Sequence, residues 1–75
     1  MNALIESNPK IMLGKPVVAG TRITVEFILE ELAAGTTMQG LVESHPRLSL
    51  DAIRAAFSYS AAVLRSDVLY SVDAA

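Results

Sequence analysis

The chain has 75 residues, no cysteine and a formal net charge of −2, with a pI near 5.1. That length holds one domain. The missing cysteines exclude disulfides and cysteine-based metal sites, and the acidic balance argues against strong non-specific nucleic-acid binding, which needs clustered Lys and Arg. Hydrophobic residues make up 52% of the chain and the mean hydropathy is +0.43. A core this small cannot hide that much apolar surface, so an interface is expected: a homodimer, a hetero-complex, or both.

Residues 1–6 lack the basic and then apolar run of a signal peptide, and no apolar stretch approaches the ~20 residues of a membrane span. The expectation is a cytoplasmic protein with no membrane partner. Ala3, Leu4 and Ile5 read as a brief strand, closed by the turn dipeptide Asn8-Pro9. Gly14-Lys15 then stands between Ile11-Met12-Leu13 and Val17-Val18, a short hairpin signal with Gly at the first central position of a type II′ turn. Pro16 has no N–H to give a ladder, which places it on an edge or in the turn. Gly20 allows a second bend. Arg22, just after it, is read either as a phosphate or partner contact or, more simply, as a clamp on Glu26 or on a nearby carbonyl.

Thr24 is a good N-cap for a helix over residues 25–34, whose stripe Val25, Ile28, Leu29, Leu32 recurs at i, i+3, i+4, i+7 and which Gly35 ends. Thr36 and Thr37 cap a second helix over residues 38–44, with Met38, Leu41 and Val42 as its apolar face and Pro46 beyond its end. His45 lies at that end. It is the only histidine and has no second ligand at helical spacing, so no metal site is expected. Ser49 caps a third helix over residues 50–65. Leu50, Ile53, Phe57, Ala61 and Leu64 are expected on its core face, with Asp51, Arg54, Ala55, Ser58, Ala62 and Arg65 opposite. The fold class is therefore mostly α with a short N-terminal β-hairpin, a three-helix, helix-turn-helix-like domain over residues 1–65. The tail, residues 66–75, carries Val68, Leu69, Tyr70 and Val72, too apolar for a comfortable disordered segment, and is read as a docking segment.

Catalysis has little to work with. One histidine completes no Ser-His-acid set at this size, Glu30 and Glu31 point different ways on a helix, and the glycines do not have Walker spacing. No enzyme activity and no cofactor are expected. Residues 37–44 and 50–65, joined by a short turn and backed by residues 25–34, have the layout of many small DNA-binding domains, with Arg47 in the turn and Arg54 and Ser58 on the candidate recognition helix. Three packed helices are also a generic way to bury an amphipathic set.

The stretch Gly14-Lys15-Pro16-Val17-Val18, then Gly20-Thr21-Arg22-Ile23 and Val25, resembles the GKP-x-x-x-GTR-x-x-V signature of domain-of-unknown-function family 433. Gly35-Thr36-Thr37, Pro46, Leu48-Ser49-Leu50, Ala55-Ala56 and Tyr59 extend the likeness over residues 4–61. The resemblance implies a small, often dimeric helix-turn-helix-like protein similar to VapB-type antitoxins, which bind and silence a small PIN-like ribonuclease and regulate their own operon. On that reading Val68, Leu69, Tyr70 and Val72 contact the toxin, while Lys15, Arg22, Arg47, Arg54 and Ser58 contact operator DNA. A stand-alone transcriptional regulator and a structural dimerisation module are the alternatives.

Overall fold

The computed structural model describes residues 3–66. In chain order they form β1 (Ile5–Glu6), a 3₁₀ turn (Met12–Gly14), β2 (Val17–Val18), α1 (Val25–Ala33), α2 (Met38–Ser44) and α3 (Leu50–Ser66). The three helices and the short antiparallel strand pair match the expected class, and each helix falls within a residue of its expected ends.

The strands pair differently from expectation. Val17–Val18 lies against Ile5–Glu6, with Ile5 opposite Val18 and Glu6 opposite Val17, rather than against residues 11–13. Asn8 accounts for this. Its side-chain oxygen accepts the Lys10 N–H at 2.8 Å and its carbonyl accepts the Ile11 N–H at 2.8 Å, so the chain folds back early. Met12, Leu13 and Gly14 then follow at φ of +50°, +60° and +84°, a left-handed turn in place of the type II′ turn. Lys15 returns to extended geometry (φ −64°, ψ 145°), as a residue preceding proline must.

A second tight reversal lies over residues 18–21, where Thr21 N–H donates to the Val18 carbonyl at 3.0 Å and Gly20 holds φ +79° at the third position. A positive φ there is the requirement of a type II turn and favours glycine. The outgoing chain pairs back on β2: Val18 N–H donates to the Ile23 carbonyl at 2.9 Å and Thr24 bridges to Val17. β2 is thus flanked on both edges, and Val17 and Val18 are both buried.

The helix caps are those the sequence offers. Thr24 Oγ1 accepts from Phe27 N–H, Thr37 Oγ1 from Gly40 N–H, both at 2.9 Å, and Ser49 Oγ from Ala52 N–H at 3.0 Å. A Cβ at Gly40 would stand 3.1 Å from the Thr37 oxygen, so that cap occupies the space a larger residue would need. The edge of one ring meets the face of the other where Phe27 of α1 touches His45, with centroids 5.4 Å apart at 82°.

The core gathers Ile5, Val18, Val25, Ile28, Leu41 and Leu48 around Ala52, Ile53, Ala55 and Ala56 of α3, which packs on α1, α2 and β1. Here the expected phase of α3 needs correction. Ile53 is buried, but Leu50, Phe57, Ala61 and Leu64 are exposed, and Ala55, expected outside, is inside. Three alanines allow α3 to approach its neighbours closely, and close approach recovers more contact than one large side chain held at a distance. Large residues alone therefore misjudge which side faces in.

Candidate functional site

The reversal at residues 18–21 and the turn between α2 and α3 meet. Thr21 fixes the first of them, donating its hydroxyl to the Val18 carbonyl at 2.8 Å and accepting the Ile23 N–H at 2.9 Å. Gly20 is held on both sides: its N–H donates to Glu6 Oε2 at 3.1 Å and its carbonyl accepts Arg47 Nη2 at 3.0 Å. Between the two turns lies an open cleft of about 730 Å³, with Ile11, Ile23 and Pro46 as apolar walls and Arg22, His45 and Arg47 as polar ones.

The clamp expected of Arg22 is made by other residues. Lys15 takes the Glu26 carboxylate at 2.9 Å, and Arg47 takes the carbonyl of the bend. Arg22 is exposed and makes no hydrogen bond or ion pair among the described residues. The Glu26 hydrogen bond, helped by the Glu26 charge, raises the Lys15 ammonium above the ordinary lysine range. That bond commits Lys15 to a contact within the fold, which weighs against a phosphate role.

Of the residues expected to touch DNA, Arg22 and Arg47 line this cleft, and Lys15, Arg54 and Ser58 do not. Arg54 sits on α3 with Asp51 at 3.3 Å, both largely exposed, and Ser58 is exposed one turn further on. The proposed recognition helix thus offers a half-neutralised arginine beside a carboxylate, a poor match for a polyanion. Val68, Leu69, Tyr70 and Val72 lie outside the described residues. Among the described residues no group of three or more His, Asp or Glu side chains is placed to hold a metal ion, and no helix is long and apolar enough to cross a membrane.

Two apolar features escaped the sequence reading. Leu13 is 92% exposed in a left-handed conformation, with Met12 exposed beside it. The outward face of α3 carries Leu50, Phe57, Ala61 and Leu64 in solvent. The second follows a helical spacing that predicts a core face, and the structure turns it outward.

A family model described as "Protein of unknown function (DUF433)" matches residues 5–60. An uncharacterised protein of Sinorhizobium fredii, y4eO, is 37% identical over 59 residues, which are 79% of this chain and 27% of that protein. The crystal structure of a DUF433 member protein from Anabaena variabilis superposes with a TM-score of 0.72 at 25% identity, covering 75% of this chain and 55% of that one. The chain therefore spans about a quarter of the length of the first and about half of the second.

Proposed function

The chain belongs to the DUF433 family, and from that premise we propose that it acts as a binding protein, the antitoxin of a type II toxin–antitoxin pair, which docks on a small PIN-like ribonuclease and silences it. One observation carries the reading. The last turns of α3, residues 61–66, are exposed throughout although they include Val63 and Leu64, at 43% and 61% exposure. Apolar side chains on a helix end that leaves its own domain are suited to a partner. In sequence they run directly into Val68, Leu69, Tyr70 and Val72, and the nearby Asp67 and Asp73 would oppose the basic groove of a ribonuclease.

The test is a binding and inhibition assay with the PIN-like ribonuclease encoded next to this chain. The intact chain should inhibit it, and a chain truncated after Ser66 should keep its circular dichroism spectrum and lose inhibition. A truncated chain that still inhibits with the same affinity overturns the reading.

Control of its own operon is the second part of the proposal. It is supported by the cleft in which an unpaired Arg22 stands with Arg47 and His45, a surface that fits a phosphate better than α3 does. Arg22→Ala should abolish a gel shift with the upstream DNA. An unchanged shift removes the cleft from the proposal.

A further inference from the structure

The outward face of α3 has a symmetry that the core does not require. Leu50, Phe57 and Leu64 lie seven residues apart, so they fall on one line along the helix, with Ala61 and the exposed Arg54 in the row beside them. Leu50 and Leu64 are therefore equally far from Phe57, and the line spans about 21 Å at 1.5 Å per residue. All three large residues reach solvent, at 37%, 44% and 61% exposure, while the opposite side of the helix is occupied by the core.

The charges on this helix follow the same pattern. Asp51 is in the first turn and Arg65 in the last, both on one flank of the apolar line by helical spacing, and Arg54, on the same side, holds Asp51 at 3.3 Å and leaves part of that exposed carboxylate open to a second cation. When two identical helices pack antiparallel, each flank meets the same flank of its partner in reverse order. Asp51 of one copy then lies beside Arg65 of the other, and the converse holds by symmetry. Leu50 meets Leu64, Phe57 meets Phe57 at the axis, and Ala61 leaves room for close approach. Antiparallel pairing also opposes the two helix dipoles favourably. A parallel pair would instead set this charged flank against the partner's opposite flank, which carries Ser60 and no charge, and would leave Asp51 and Arg65 without each other.

We propose that the outward face of α3 is the self-association surface of this chain, pairing antiparallel with α3 of a second copy about a two-fold axis at Phe57. Such an interface is isologous, the closed arrangement of most homodimers. A single helix seam lies at the small end of stable interfaces, so the dimer dissociates reversibly on dilution. The inference goes beyond the ribonuclease reading: it gives Leu64 to the second copy, leaves Val63, on another side of the helix by spacing, to the toxin, and is measured without a toxin.

The test is sedimentation equilibrium of the full chain with a set of variants. Wild type should dimerise, and Phe57→Ala should weaken the dimer at least tenfold, as expected for an aromatic anchor at an interface centre. Leu64→Ser, at a position mostly in solvent, should weaken it too, without altering the melting curve of the folded chain. Asp51→Arg and Arg65→Asp should each weaken the dimer, and the two together should restore it. A monomer at every concentration overturns the proposal. So does a dimer whose affinity ignores Phe57 and Leu64, or one that the double charge exchange fails to restore.

Discussion

Arg47 reaches back across 27 residues to donate from Nη2 to the Gly20 carbonyl at 3.0 Å. It ties the turn between α2 and α3 to the bend that launches α1. Arg22 lines the same cleft and makes no such tie among the described residues. Two arginines on one surface therefore have separable roles. Arg47→Met should destabilise the fold by about 1 kcal/mol, the low end for a charge-assisted hydrogen bond because the group is exposed. Arg22→Met should stay within about 0.5 kcal/mol of wild type. Thermal unfolding checks this, since about 1 kcal/mol moves the midpoint by roughly 4–8 °C in a domain of this size.

Gly20 tests backbone strain without steric interference. No atom stands within 4 Å of a Cβ added there, yet its φ is +79°. Gly20→Ala should therefore cost about 1 kcal/mol from conformation alone, and Gly20→Asn less. Urea unfolding should show a lower midpoint with an unchanged slope.

Leu13 offers the converse. It holds φ +60° while 92% exposed, so it contributes strain and little packing. Leu13→Asn should raise stability by about 0.5–1 kcal/mol, because Asn tolerates the left-handed region better than Leu. The same urea titration reads the gain.

The phase of α3 can be checked from both sides of the helix. Ile53 is wholly buried, and Ile53→Ala should cost about 2–5 kcal/mol. Ala56 is wholly buried as well, and Ala56→Leu should cost about 1–3 kcal/mol by overpacking. Leu64→Ser should leave monomer stability within about 0.5 kcal/mol. Denaturation at concentrations too low for self-association separates these effects.

The Lys15–Glu26 pair sets one pH dependence. A lysine whose pKa is raised by folding contributes its stability below the unfolded pKa and loses it as pH rises through the folded one. The contribution is small, because both partners are more than half exposed. The stability difference between wild type and Lys15→Met should be constant through neutral pH and should vanish only in alkaline solution above the ordinary lysine range. Unfolding midpoints measured across that range test the sign.

Much of this was legible because local chemistry decided it. Thr24, Thr37 and Ser49 announce helix starts, and the structure uses each as a cap. What was not legible depended on distance in space. Nothing local says that Glu26 will meet Lys15 rather than Arg22, since only the path of the bend brings one cation near and turns the other away. Asn8 hides a competing turn, which moved the partner of β2 from residues 11–13 to Ile5–Glu6. On α3 the small residues face inward, a choice that only the neighbouring elements can make. The cleft shared by Arg22 and Arg47 follows from contacts between turns more than twenty residues apart.

The alanines beneath α3 divide the helix into two regimes of tolerance to change. Ala52, Ala55 and Ala56 sit where even one extra methylene must displace a neighbour, so inward positions accept few substitutions. Leu50, Phe57 and Leu64 reach solvent on the other side, at 37%, 44% and 61% exposure, and have room to change there. Substitutions there disturb the fold less than inward ones and, on the self-association proposed above, alter what the domain associates with. A single helix can thus acquire new partners by drift along one side while the other side keeps the architecture constant.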